Sequence, residues 1–262
     1  MAEPGALSMQ MSSGLWNPAA VSIPNGERVQ AGLVALNSPI EQGVSAQLAA
    51  GSVVLPRDAI LTASVLRATV TDLVQTQTDP QSVGAEIPYG TTVFSVGLSR
   101  RFAGVTAGIA TRIRTGTADF IQRTAMSIDG GVVVDRLFGT PVRVAASTFL
   151  LSPSRSREVP TLLGAADLPV YARGTLFEAR AGLAASATDG RGSEQYLYGA
   201  LRYAGLEARG GIARARQFGA TSDHLRLGLD MRYARYAVGI AREEEGAGLG
   251  AVYQFMLTSE FP

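Results

Sequence analysis

From residue 223 onward the chain alternates with a period of two. The stretch 223–233, DHLRLGLDMRY, sets Leu225, Leu227, Leu229, Met231 and Tyr233 on one parity and Arg226, Gly228, Asp230 and Arg232 on the other. Successive side chains of a strand point to opposite faces, so this is a strand with one wholly apolar and one largely charged face; a helical period would mix the two sets. Residues 235–241 repeat the rule, with Tyr236, Val238 and Ile240 opposed to Arg235, Ala237, Gly239 and Ala241. The join at Ala234 is short enough for a tight hairpin. The final stretch, 249–261, places Leu249, Ala251, Tyr253, Phe255, Leu257 and Phe261 on one parity, against Gly250, Val252, Gln254, Met256 and Thr258. Aromatic rings along an apolar stripe suit the headgroup level of a membrane, where amphipathic rings partition.

Toward the N-terminus the same pattern continues with lower contrast. Val105, Ala107, Ile109, Thr111 and Ile113 oppose Thr106, Gly108, Arg112 and Arg114, while Val142, Val144 and Ala146 oppose Arg143, Ala145 and Ser147. Phe177, Ala179, Ala181, Leu183 and Ala185 oppose Glu178, Arg180, Gly182 and Ser186; Leu197, Leu201 and Tyr203 oppose Tyr198 and Arg202. Further strands are expected in 28–36, 44–54, 60–74, 92–102, 124–137 and 206–218, with Gly210-Gly211 marking a bulge or a close backbone approach in the last. The total is roughly 12 to 14 strands, each near the length that crosses a bilayer when tilted. The fold class this predicts is all-β: one transmembrane antiparallel β-barrel over 27–262, preceded by a short plug-like segment, 1–26. Two connections, 75–90 with Pro80 and Pro88 and 152–169 with Pro153 and Pro160, read as long loops.

A soluble sandwich would also alternate, so the direction of the faces has to be decided. The apolar parity is rich in alanine and other small residues, which cover a lipid-facing surface but pack a two-layer core poorly. The polar parity then faces a lumen that gathers Arg112, Arg114, Arg143, Glu178, Arg180, Arg202, Arg226, Asp230 and Arg232. Mixed signs there imply that most of these charges pair with one another, because an unpaired buried charge is costly.

Composition narrows the function. The formal net charge is +1, every basic residue other than His224 is arginine, and cysteine is absent. The balance argues against nucleic-acid binding, and no disulfide, thiolate metal site or cysteine nucleophile is available. The run Met1-Ala-Glu-Pro-Gly-Ala-Leu-Ser-Met-Gln lacks the order of a secretory signal, so export to the bacterial outer membrane presumes a signal removed or missed.

Before the first strand stands Ser12-Ser-Gly-Leu-Trp-Asn-Pro-Ala-Ala-Val21. Read alone, Asn17-Pro18 is a turn with the asparagine bonding back to its own backbone. Followed by a barrel pattern, Leu15, Trp16, Asn17, Pro18 and Ala19 resemble the N-terminal element of the FadL-like long-chain fatty acid channels and the related PorV/PorQ-type proteins. In those families the element belongs to a plug inside the barrel. Ile128-Asp-Gly-Gly-Val132 and Ala166-Asp-Leu-Pro169, the first taken as a turn and the second as the lead into a strand, resemble PorV/PorQ-type segments. The last strand, with Tyr253, Phe255, Leu257 and Phe261, resembles the terminal strand read by the barrel-insertion machinery, with Pro262 displacing the aromatic by one place.

The resemblance implies a secretion accessory or cargo shuttle of the type IX pathway as the first expectation and a channel for hydrophobic small molecules as the second. Expected partners are outer-membrane lipid, the insertion machinery, and secretion-system components or a hydrophobic ligand. No cofactor or metal is expected, and catalysis is not, although Ser222 and His224 share a face two residues apart. The acidic run Glu243-Glu244-Glu245 reads as a solvated turn.

Overall fold

A computed structural model describes residues 13–23, 26–38, 43–71, 87–119, 121–151, 159–174, 176–217, 219–244 and 250–262. These form one short helix, α1 (Ser13–Trp16), and fourteen strands: β1 (Val29–Asn37), β2 (Val44–Leu55), β3 (Ala59–Val70), β4 (Tyr89–Phe102), β5 (Val105–Ala118), β6 (Ile121–Val134), β7 (Arg143–Phe149), β8 (Thr161–Arg173), β9 (Phe177–Thr188), β10 (Gly192–Tyr203), β11 (Leu206–Gln217), β12 (Ala220–Tyr233), β13 (Tyr236–Glu244) and β14 (Ala251–Phe261). Every neighbour pair is antiparallel and the sheet closes through β1 against β14, from Val29 opposite Phe261 to Asn37 opposite Tyr253. Closure satisfies the edge hydrogen bonds that an open sheet would expose to lipid.

The two faces are settled by exposure. Leu33, Ile109, Leu183, Leu197, Ile212, Leu229 and Leu257 all stand outward, exposed on the outer surface. Their strand neighbours Val34, Ala110, Ala213 and Met256 are buried inside. An outer surface with large apolar side chains on every strand but β7 is compatible with lipid and not with water.

One end of the barrel is closed by tight turns at 103–104, 204–205 and 234–235. At Ala103-Gly104 both φ angles are positive, 45° and 88°, which gives the twist that a two-residue hairpin needs. The opposite end carries the longest connections, 71–88 and 150–160. Short turns face the periplasm and long loops the exterior in barrels of this kind.

Several local expectations are corrected. Residues 75–86 and 152–158 of the two presumed loops lie outside the described residues, but Tyr89 and Gly90 already belong to β4, and 161–169 are in β8. Ala166 to Pro169 therefore lies inside a strand, and Pro169 is accommodated by the register shift between Pro169 and Tyr171. Proline cannot donate to the ladder, so a bulge is where a strand tolerates it. Ile128 to Val132 is not a turn either: it runs through β6. Gly210 and Gly211 keep the ladder regular on both sides, and Gly211 serves the close approach instead, since a Cβ there would stand 2.8 Å from the Tyr196 ring. Glu243 and Glu244 belong to β13 and not to a turn; Glu245 lies outside the described residues.

Candidate functional site: the lumen and the segment inside it

The segment 13–23 lies within the barrel. Asn17 folds it back through Ala19 N, which donates to Asn17 Oδ1 at 2.9 Å, and Asn17 N donates to Ser13 O at 2.8 Å. Asn17 and Ser13 are fully buried. The wall makes room for them with glycine: a Cβ on Gly131 of β6 would collide with the Asn17 carboxamide, and one on Gly108 of β5 would stand 2.6 Å from Ala19 N. On β7, Ser147 Oγ donates to Trp16 O at 2.9 Å, and the Trp16 ring lies 5.0 Å from that of Phe149. Ala19 and Ala20 pack on inward Val133, Ala145 and Ala165. The sequence signal for this seat was present in Asp129-Gly130-Gly131 but was read as turn chemistry.

Beneath Phe149 the guanidinium of Arg112 sits 4.9 Å from the ring centroid and is ion-paired with Asp129. Both side chains are wholly buried. Asp129 also accepts from Leu151 N at 3.1 Å. Sequence reasoning singled out Arg112 and missed Asp129.

The other sequence-selected charges all stand on the inward parity, and the register joins most of them into one wall across β7 to β12. Asp167, buried on β8, receives Arg143 Nη2 at 2.7 Å, Tyr198 Oη at 3.1 Å and the Arg180 guanidinium. Arg180 Nη1 also meets Glu178 at 2.9 Å. Arg202 pairs with Glu207 at 3.0 Å, and Arg209 pairs with Asp230. Nearer the long-loop end, Arg226 bridges Glu194 and Glu243, each at 2.7 Å, over the Tyr196 ring. Tyr196 and Tyr198 stack with centroids 5.5 Å apart, and Tyr198 fits because Gly182 opposite it has no Cβ. Arg232 Nη2 reaches Glu260 at 3.1 Å. Ser222 Oγ and His224 Nε2 lie 2.8 Å apart on the same inner face.

The opposite wall is different and was not anticipated. One rung of cross-strand partners runs Met256, Val34, Leu48, Leu66, Val93 and Arg114 over β14 and β1 to β5. The first five are inward-facing and apolar, and Val34, Leu48, Leu66 and Met256 form one packed cluster. Followed the other way, the same rung reads Gly239, Asp230 and Glu207. The rung therefore climbs from ionic residues near the short-turn end, on β11 and β12, to apolar ones nearer the long-loop end, on β2 to β4. Leu66 lies four residues nearer the long-loop end of β3 than Thr62, which stands against Gly14 of the interior segment. At β3 the apolar rung thus lies on the long-loop side of that segment. Of the last strand, Tyr253, Phe255, Leu257 and Phe261 all face outward.

No protein-family model matches the chain, and no curated protein resembles it closely in sequence. Solved structures do resemble it in shape. The Pseudomonas putida toluene transporter TodX superposes with a TM-score of 0.60 at 9% identity, over 98% of this chain and 94% of that one. A TodX deltaS2S3 mutant, described as a monoaromatic hydrocarbon channel, gives 0.62 at 9% identity over 97% and 96%. The Acinetobacter baumannii outer-membrane protein Omp33 gives 0.53 at 9% identity over 90% and 98%. The fold is that of a bacterial outer-membrane β-barrel. At such identities the likeness speaks for this barrel's architecture, closure and membrane setting; what passes through or docks on it has to be argued from its own lumen.

Proposed function

We propose that this barrel is an outer-membrane channel that admits hydrophobic small molecules, with the segment carrying Leu15, Trp16, Asn17, Pro18 and Ala19 as its plug. The observation that carries this reading is the inward apolar rung of Met256, Val34, Leu48, Leu66 and Val93, which at β3 lies on the long-loop side of that segment. A purely structural barrel gains nothing from turning five large apolar side chains toward a lumen, whereas a guest of low polarity needs such a surface and few polar anchors. The facing charges are paired with one another, so they hold the wall without competing for an uncharged guest. The structural likeness to a toluene transporter favours this reading over a secretion accessory.

Trp16 is the sole tryptophan, so its fluorescence reports on the plug directly. The test is a titration of the purified barrel in detergent with a monoaromatic hydrocarbon, alongside uptake into vesicles carrying the barrel. Saturable perturbation of Trp16 emission and uptake above that of empty vesicles are expected, both weakened by Leu48→Asn. Uptake equal to that of empty vesicles would remove the channel reading.

A further inference from the structure

At the short-turn end, arginines that point inward and arginines that point outward are treated differently. Inward Arg101, Arg202 and Arg232 each hold a carboxylate, on Asp135 at 2.5 Å, Glu207 at 3.0 Å and Glu260 at 3.1 Å. Arg100, on the outward parity of β4, and Arg235, in the turn before outward-facing Tyr236, have no carboxylate partner among the described residues and are set against aromatic rings. The Arg235 guanidinium carbon lies 5.2 Å from the Tyr236 centroid and 5.8 Å from that of Phe261. Its turn is pinned to the next strand by Glu260 N, which donates to Arg235 O at 2.9 Å. Tyr233, which closes the same hairpin opposite Tyr236, is 79% exposed. Around the rim the arrangement recurs, with Arg100 4.8 Å from the Phe102 centroid at the end of β4.

Rings at the edge of an outward apolar band sit at the level of lipid headgroups. A guanidinium held over such rings keeps its planar fork of N–H donors directed at the same level, where the available acceptors are phosphate oxygens. An arginine meant only for solubility needs no ring beneath it, and one meant for wall rigidity would carry an acid, as its inward neighbours do.

We propose that Arg235 with Tyr236 and Phe261, and Arg100 with Phe102, are two headgroup sites for anionic phospholipid in the leaflet at the short-turn end, each taking one lipid phosphate. Net negative lipids are selected over zwitterionic ones because the guanidinium at each site repels the quaternary ammonium that a choline headgroup carries beside its phosphate. The sites are independent of what crosses the lumen.

The experiment is native mass spectrometry of the full-length barrel released from detergent after addition of phosphatidylglycerol or, in parallel, phosphatidylcholine of the same chains. The wild type should retain phosphatidylglycerol several-fold more than phosphatidylcholine. Arg235→Gln and Arg100→Gln should each retain one phosphatidylglycerol fewer, and the double variant two fewer, with the heat-dependent gel shift of a folded barrel intact. Arg235→Lys, which keeps the charge but loses the fork, should retain the lipid less firmly than wild type and more firmly than Arg235→Gln. Equal retention of the two lipids by the wild type, or undiminished phosphatidylglycerol on the double variant, would overturn the proposal whatever the uptake assay shows.

Discussion

Around one rung of the lumen the side chains pass from Glu207 and Asp230 on β11 and β12 to Met256, Val34, Leu48 and Leu66 on β14 to β3. Both sides are antiparallel ladder, and what sets them apart is the inward parity. The ionic wall holds itself by pairwise charge satisfaction, and its members are hard to change singly because each removal strands a partner in a poorly solvated interior. The apolar wall has no such bookkeeping. Its side chains can be altered one at a time, at a cost set by area and by how much of each faces open lumen. On the proposed reading, rigidity belongs to one side of the cylinder and receptivity to the other.

The contrast can be broken first at Asp167. Asp167→Ala deprives Arg143 and Tyr198 of their partner, leaves Arg180 with Glu178 alone, and should cost about 3 to 5 kcal/mol, read from urea unfolding of the detergent-solubilised barrel. A loss under about 1 kcal/mol would mean that the charged wall does not rest on its pairs. Next comes Gly131→Ala, whose Cβ meets the Asn17 side chain. Overpacking of this kind typically costs about 1 to 3 kcal/mol, and the expected relief is displacement of the interior segment, seen as a red shift of Trp16 emission. Unchanged emission would place the segment elsewhere than against β6. On the apolar wall, Leu48→Asn should weaken binding of a monoaromatic hydrocarbon about tenfold, equivalent to about 1.4 kcal/mol, while unfolding changes less than for Asp167→Ala. The smallest effect belongs to the exposed pair Arg214 and Asp223, 2.8 Å apart: Arg214→Gln should leave the unfolding midpoint unmoved, since water already screens both charges.

The same contrast explains what could be read from the sequence. Between 223 and 261 the inward parity carries Arg226, Asp230 and Arg232 against outward Leu225, Leu227 and Leu229, so period two is plain and the strand bounds there agree within about three residues. Where the apolar rung crosses β1 to β4 both parities are apolar: outward Leu33 neighbours inward Val34, and outward Val65 neighbours inward Leu66. Alternation vanishes wherever the lumen itself is hydrophobic. The feature that best speaks for function is therefore the one that blurred the pattern, and Val34, Leu48, Leu66, Val93 and Met256 went unremarked as a group. Register, which no local pattern supplies, was needed to set them side by side. Asp129-Gly130-Gly131 failed for a related reason. Its composition is that of a turn, yet Asp129 answers Arg112 across the ladder and Gly131 yields space to a residue more than a hundred positions earlier.

Finally, the seam between β1 and β14 bears on how the molecule comes into being. Gln30 Nε2 reaches Glu260 Oε1 at 3.4 Å across a sequence separation of 230. Until β14 is in place, β1 has one bare edge, and in hydrocarbon a bare edge leaves a row of amides and carbonyls without partners. Neighbouring hairpins can zip as they emerge, but the step that retires this penalty involves the two strands farthest apart in the chain. Such distant contacts are reached slowly. Assembly should therefore behave as a single late commitment: a molecule lacking β14 is an unclosed ribbon and not a smaller barrel, open to pairing with another copy of itself.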